Sequence, residues 1–156
     1  MDLLACVMAL RPDVTWAGNS VNAHSLDTIA ETYQSAQPLP TLSECELWAR
    51  KDQKMAELLS AYAATVYADI EYNTKTYTAD ADTQALLAQV LAVGAVPPGM
   101  YWRDKTGAQN TMTYADLQGL GGVILERGLI ANAKLATKTA GVTAAGSVND
   151  IDLIVW

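Results

Sequence analysis

The chain has 156 residues and a formal charge of −7, and it contains no Phe, so its four Trp and seven Tyr must supply the large side chains. That length suits one ordinary domain, or one compact domain with an extended arm. Lys and Arg are scattered without a basic stripe, which argues against phosphate neutralisation on nucleic acid and against an anionic membrane surface.

The opening MDLLACVMALRP carries Asp2 where a signal peptide has a basic region, and it is far too short to span a bilayer. No other run reaches that apolar length. A soluble protein made in a cytoplasm is the expectation. Residues 2–10 predict a short helix stopped by Pro12, because the residue before a proline is pushed out of the helical region. Asp13–Ala17 alternates enough for a strand, and Gly18-Asn19 is a turn signal. In Ser25–Tyr33, Ser25 is a plausible helix cap with helical spacing at Leu26, Ile29 and Tyr33.

Gln37-Pro38-Leu39-Pro40 is an extended connector, after which Thr41 and Glu44 form a capping box. With no Gly or Pro before Asn73-Thr74, the helix it opens could run for about 30 residues, or about 45 Å. Trp48, Met55, Leu58, Leu59, Tyr62, Val66 and Ile70 share one face of it. Met55, Leu59, Tyr62 and Val66 follow the 4-3-4 rhythm of a coiled-coil seam. A helix that long in a small chain either projects and pairs or is buried at home. Trp48, Met55, Leu59, Tyr62 and Val66 are therefore the candidate oligomer or partner interface.

Thr74–Thr78 predicts a strand, and Asp80–Asp82 starts a helix with Leu86, Leu87, Val90 and Leu91 on its apolar side, ending near Gly94. Met100–Arg103 and Gln109–Thr111 predict paired strands around a loop with Gly107 at the left-handed position. Thr113 with Asp116 opens a last long helix. Its Gly119, Gly121, Gly122 and Gly128 each cost on the order of 1 kcal/mol against alanine, which close helix approach would offset. Ala140–Gly146 reads as a small-residue linker. Ser147 with Asp150 caps a short terminal helix holding Ile151, Leu153, Ile154 and Trp156.

The run YTADADTQALLAQVLAVGAVPPGMYWRDKTGAQNTMTYADLQGLGGVILERGLIANAK, Tyr77 to Lys134, resembles the uncharacterised domain at the C-terminal end of many small bacteriophage tail-region proteins. LRPDVTWAGNSVNAHSLDTIAETYQSAQPLPTLSECELWARK resembles a leader of those same proteins, in which Leu-Arg-Pro ends a helix, a Trp strand follows, and Pro-Thr-x-x-Glu starts the next helix. The resemblance implies a phage particle or its assembly rather than a reaction. It makes Trp102 a recurring feature of the hairpin. It also favours a strand for the Ser25–Tyr33 segment.

Chemical constellations are sparse. His24 is the only histidine, and a Cys–His pair with Cys6 or Cys45 has no supporting context. Three His and Cys residues in all make a poor metal set. Cys6 and Cys45 fit small buried hydrophobes on helical patterns, with a late interchain disulfide as the alternative. Asp80 with Asp82, and Asp150 with Asp152, sit where carboxylates favour helix starts, although two acids are all a glycosidase needs. Gly119–Gly122 lies inside a helix and not between strand and helix, so it is no phosphate loop. Trp102 beside Tyr101 is the candidate surface-contact aromatic for a sugar, against a core anchor as the plainer role.

The expected architecture is α+β and mainly helical. It comprises a small N-terminal α/β docking unit (1–40), a long connecting helix (41–73) and a C-terminal helical domain with a β-hairpin (74–156). The expected role is a virion structural protein of the phage tail, an adaptor at the tail fibre or baseplate, with no enzymatic activity and no cofactor. A tail-fibre assembly chaperone is the alternative, and a glycan-binding recognition module a third. Expected partners are tail-fibre or baseplate proteins and further copies of the chain, three if it follows fibre symmetry.

Overall fold

The computed structural model describes residues 2–16, 26–30 and 33–156. The fold is α+β and mainly helical, with three two-stranded antiparallel ribbons. The expectations at Gly18-Asn19, His24 and Ser25 lie outside the described residues. Contacts divide the chain into residues 1–57 with 138–155, and residues 58–137 with Trp156. The division falls inside two helices, between residues 57 and 58 and between residues 137 and 138.

The first unit opens with α1 (Leu3–Leu10), whose N-cap Asp2 accepts a hydrogen bond from Ala5 N at 3.0 Å. A short ribbon follows, β1 (Thr15–Trp16) with β2 (Tyr33–Gln34), in the register Thr15 to Gln34 and Trp16 to Tyr33. Between them lies α2 (Leu26–Ala30), so the ambiguous segment contains a helical turn and then a strand. Next comes α3 (Leu42–Val66). Its start is the expected capping box: Thr41 Oγ1 accepts from Glu44 N at 3.2 Å, while the Glu44 carboxylate accepts from Thr41 N at 2.7 Å. The Thr41 N–H and hydroxyl, both donating to it, hold the Glu44 carboxyl below its ordinary pKa.

Cys6 of α1 and Cys45 of α3 are joined by a disulfide across 39 residues of sequence. This corrects both sequence expectations for them. They are fully buried, but bonded to each other rather than free or paired between chains. Residues far apart in sequence close the rest of the unit. Arg50 pairs with Glu57 at 2.9 Å and Asp152 at 2.7 Å, and Lys51 Nζ donates to the Thr143 carbonyl at 2.9 Å. These contacts tie residues 138–155 to the first 57.

In the second unit, α3 stops at Val66, short of the expected 30 residues. Ile70 lies not on the helix but in β3 (Ile70–Tyr72), which pairs with β4 (Lys75–Tyr77). The turn between them puts Asn73 and Thr74 at φ +48° and +63°, the geometry of a tight primed hairpin turn. Asp80 then caps α4 (Ala81–Val93), and Gly94 closes it at φ +77°. The strands β5 (Trp102–Arg103) and β6 (Gln109–Asn110) form the expected hairpin. Asp104 organises its loop by accepting from Thr106 N, Thr106 Oγ1 and Ala108 N on one oxygen and from Asn110 on the other. Lys105 N donates to the Thr76 carbonyl, tying this hairpin to β4.

Thr113 and Asp116 cap α5 (Tyr114–Ala144), which runs straight through the Ala140–Ala144 stretch expected to be linker. Alanine favours helix, and Val142, in the first unit, is fully buried, so nothing stops the helix there. Ser147 caps the last helix, α6 (Val148–Asp152). The second unit's core gathers Ile70, Tyr77, Leu87, Val90, Trp102 and Leu117.

Candidate functional site

The second unit carries an apolar groove of about 380 Å³ between α3, α4 and α5. Each wall follows from the helix that forms it. On α4, Leu87 and Val90 face the core, which leaves Ala88 and Leu91 to line the groove. On α3, Leu58 is buried in the core, and Tyr62 and Val66, rotated off that face, form the second wall. On α5, Leu117, Leu120 and Ala131 point inward. Successive residues turn 100°, so Gly121, Leu125, Gly128 and Leu129 fall on the flank beside the groove.

Polar clasps on backbone carbonyls fix these walls. The Arg127 guanidinium donates to the carbonyls of Val66 at 2.7 Å, Ala68 at 2.7 Å and Asp69 at 3.2 Å. It thereby satisfies the open end of α3, where no Gly or Pro does so. Burial pulls the Arg127 pKa down from its ordinary value, but a guanidinium stays cationic. Gln84 of α4 donates to Val66 O at 3.0 Å and Ala79 O at 2.7 Å, and Tyr114 Oη of α5 donates to Leu91 O at 2.9 Å. Behind Tyr62, the Trp156 ring meets it edge-on at 6.4 Å and donates to Thr65 Oγ1 at 2.9 Å. A groove held this way is preorganised for an occupant.

Among the described residues, none that lines the groove is charged. Its α5 rim stands out into solvent, with Leu125 63% and Leu129 61% exposed. The α5 wall is recessed at Gly128. A methyl group at Gly121 would touch Leu91 at 3.0 Å, whereas at Gly128 it would meet nothing within 4 Å. Of the four glycines expected to mediate close helix approach, only Gly121 faces a helix. Gly119 faces Tyr72 of β3, and Gly122 and Gly128 are open.

The candidate interface residues are dispersed. Tyr62 and Val66 line the groove, and Leu59, three residues before Tyr62, is 53% exposed. Trp48 and Met55 are half-buried in the first unit. Trp102 is only 6% exposed within the core, so the surface-contact role expected of it is corrected. A ring enclosed by Met112 and Leu117 offers no platform to a sugar. The exposed neighbour is Tyr101, with the Arg103 guanidinium 5.0 Å from its ring centroid. Leu125 and Leu129 were missed by sequence reasoning. Their signal was an apolar pair four residues apart, off the Leu117, Leu120 and Ile124 face.

The acid pairs serve as caps and bridges. Asp80 accepts from Thr83 N at 2.8 Å, Asp150 from Ser147 Oγ at 2.7 Å, and Asp152 pairs with Arg50. No three His, Cys, Asp or Glu among the described residues are grouped to hold a metal. Nor is any helix among them long and apolar enough to cross a membrane.

Comparison with curated proteins and with solved structures returned no match. Residues 49–155, more than half of the chain and all of the groove, match the family described as a domain of unknown function, DUF4376. The chain belongs to that family.

Proposed function

We propose that this chain is a structural protein of the bacteriophage tail, an adaptor or accessory at the tail fibre or baseplate that works through protein contacts. The observation that carries this reading is the order of features along the chain. Leu10-Arg11-Pro12 ends a helix, Thr41 and Glu44 cap the next, and the Trp102 hairpin leads into the helix capped by Thr113. That order resembles small phage tail-region proteins. A preorganised apolar groove with exposed leucines on its rim supports a protein partner, since exposed apolar patches of this kind mark interaction surfaces. The charge of −7 and scattered cations favour tail-fibre or baseplate proteins over nucleic acid or an anionic membrane. The chain is then made in the host cytoplasm and carried in the virion tail. Mass spectrometry of purified particles should find it in a fixed ratio to the fibre protein. Its complete absence from particles overturns the reading.

A tail-fibre assembly chaperone is the second reading. The same groove on an acidic chain favours it, because a folding fibre segment could rest there and be released. Deleting the gene separates the two. Loss of an adaptor leaves soluble, folded fibre unattached, whereas loss of a chaperone leaves aggregated fibre.

A further inference from the structure

We propose that the α5 face around Gly128 pairs with the same face of a second copy of this chain, Leu125 and Leu129 of each copy entering the other's groove. The pairing does not depend on the tail reading, but it places a second copy in the groove that the chaperone reading gives to a fibre segment. Three observations lead to it.

The face carries both halves of a fit. Leu125 and Leu129 are more than half exposed and four residues apart, so they form one ridge along the helix. Beside them, within the same groove lining, Gly128 leaves a recess, whereas the space at Gly121 is taken by Leu91. Space at Gly128 is open, and a glycine in a helix interior costs on the order of 1 kcal/mol relative to alanine. No neighbour among the described residues accounts for it. A neighbouring helix crossing closely at that point does. A ridge next to a recess is self-complementary under a two-fold axis, where residue i meets j and j meets i.

The charge selects the place. Two chains of −7 repel wherever their acidic surfaces meet, and only a face free of charge lets them approach. The groove lining is such a face. The closest charged neighbours on α5 turn away from it. Arg127 is engaged at the end of α3, and Glu126 lies about 100° around the helix from Leu125.

The area is sufficient for a weak pair. Leu59, Leu125 and Leu129 are more than half exposed, and with the half-buried groove residues a pair of copies would cover roughly 1,000 Å². That sits at the lower limit for a specific interface, so the expected dissociation constant is roughly 1–100 μM.

Sedimentation velocity of the full chain over roughly 1–300 μM, a span set by that expected constant, tests the proposal. The expected result is a reversible monomer–dimer equilibrium. Leu129→Asp should leave a monomer with unchanged far-UV circular dichroism. Gly128→Leu, which fills the recess from a position with open space around it, should do the same. Should Leu129→Asp fail to fold, Gly128→Leu decides alone. In Leu129→Cys, a short bismaleimide should link two chains near the axis. The proposal fails if the wild-type chain stays monomeric throughout, if its oligomer is a trimer, or if a dimer survives both substitutions. A monomer that binds another protein through the groove overturns it too.

Discussion

Reducing the Cys6–Cys45 disulfide should destabilise the first unit by about 4 kcal/mol. The bond closes a loop across 39 residues. The loop-closure entropy it removes from the unfolded chain grows with the logarithm of that length, which at 25 °C comes to about 4 kcal/mol. No packed atom is lost on reduction, so this is the whole expected effect to first order. Against the 5–15 kcal/mol that typically holds a domain together, about 4 is a large share. Urea titrations with and without reductant, followed by far-UV circular dichroism, measure it. With a slope of about 2 kcal/mol per molar, the midpoint should fall by roughly 2 M. The double variant Cys6→Ala/Cys45→Ala should fall at least as far, because both sulfurs are fully buried and their removal also loosens packing. Thiol counting in denaturant without reductant should find no free thiol. Coincident oxidised and reduced midpoints, or two free thiols per chain, would refute the reasoning.

Thr74 holds a left-handed φ of +63° with a β-branched side chain, so Thr74→Gly relieves strain that outweighs the added freedom of the unfolded chain. A gain of about 0.5–1 kcal/mol should raise Tm by a few degrees, and a lower Tm argues against strain at the turn. Gly119→Ala puts a methyl against Tyr72 Oη and 2.8 Å from its Cζ, and should cost about 1–3 kcal/mol by chemical denaturation. Gly122→Ala meets open space and should stabilise by about 0.5–1 kcal/mol, so equal effects at the two positions would contradict the packing described. The Thr106 hydroxyl and the Asn110 amide hold Asp104 at about 2, below its ordinary 3.8. The unfolded chain therefore takes up the proton first, and the stabilisation is complete above pH about 4 and lost as pH falls towards 2. Asp104→Asn should make the acid dependence of stability shallower in that window by up to one proton, and an unchanged slope counts against the role assigned to Asp104.

Local chemistry was legible from the sequence. The Thr41–Glu44 and Thr113–Asp116 capping boxes, the Asp80 and Ser147 caps, the Gly94 stop and the Gly107 turn all sit where the residues place them. Each depends on groups within four residues of one another, which share a neighbourhood before any tertiary contact forms. The mainly helical α+β character follows from those signals. The end of α3 was not legible, because the Val66 carbonyl and those of Ala68 and Asp69 just beyond it are satisfied by Arg127, about 60 positions later. Nor was the strand at Ile70, whose spacing fits a helix face and a ribbon equally. Both cysteines read as buried, but spacing alone does not bring residues 39 apart together. Trp102 was ambiguous between surface and core for the same reason: a hairpin has two faces, and only the packing of α4 and α5 chooses which one is enclosed. The groove is the extreme case. Tyr62 and Val66 were visible as an apolar pair, yet their wall exists only because α4 and α5 supply the other two.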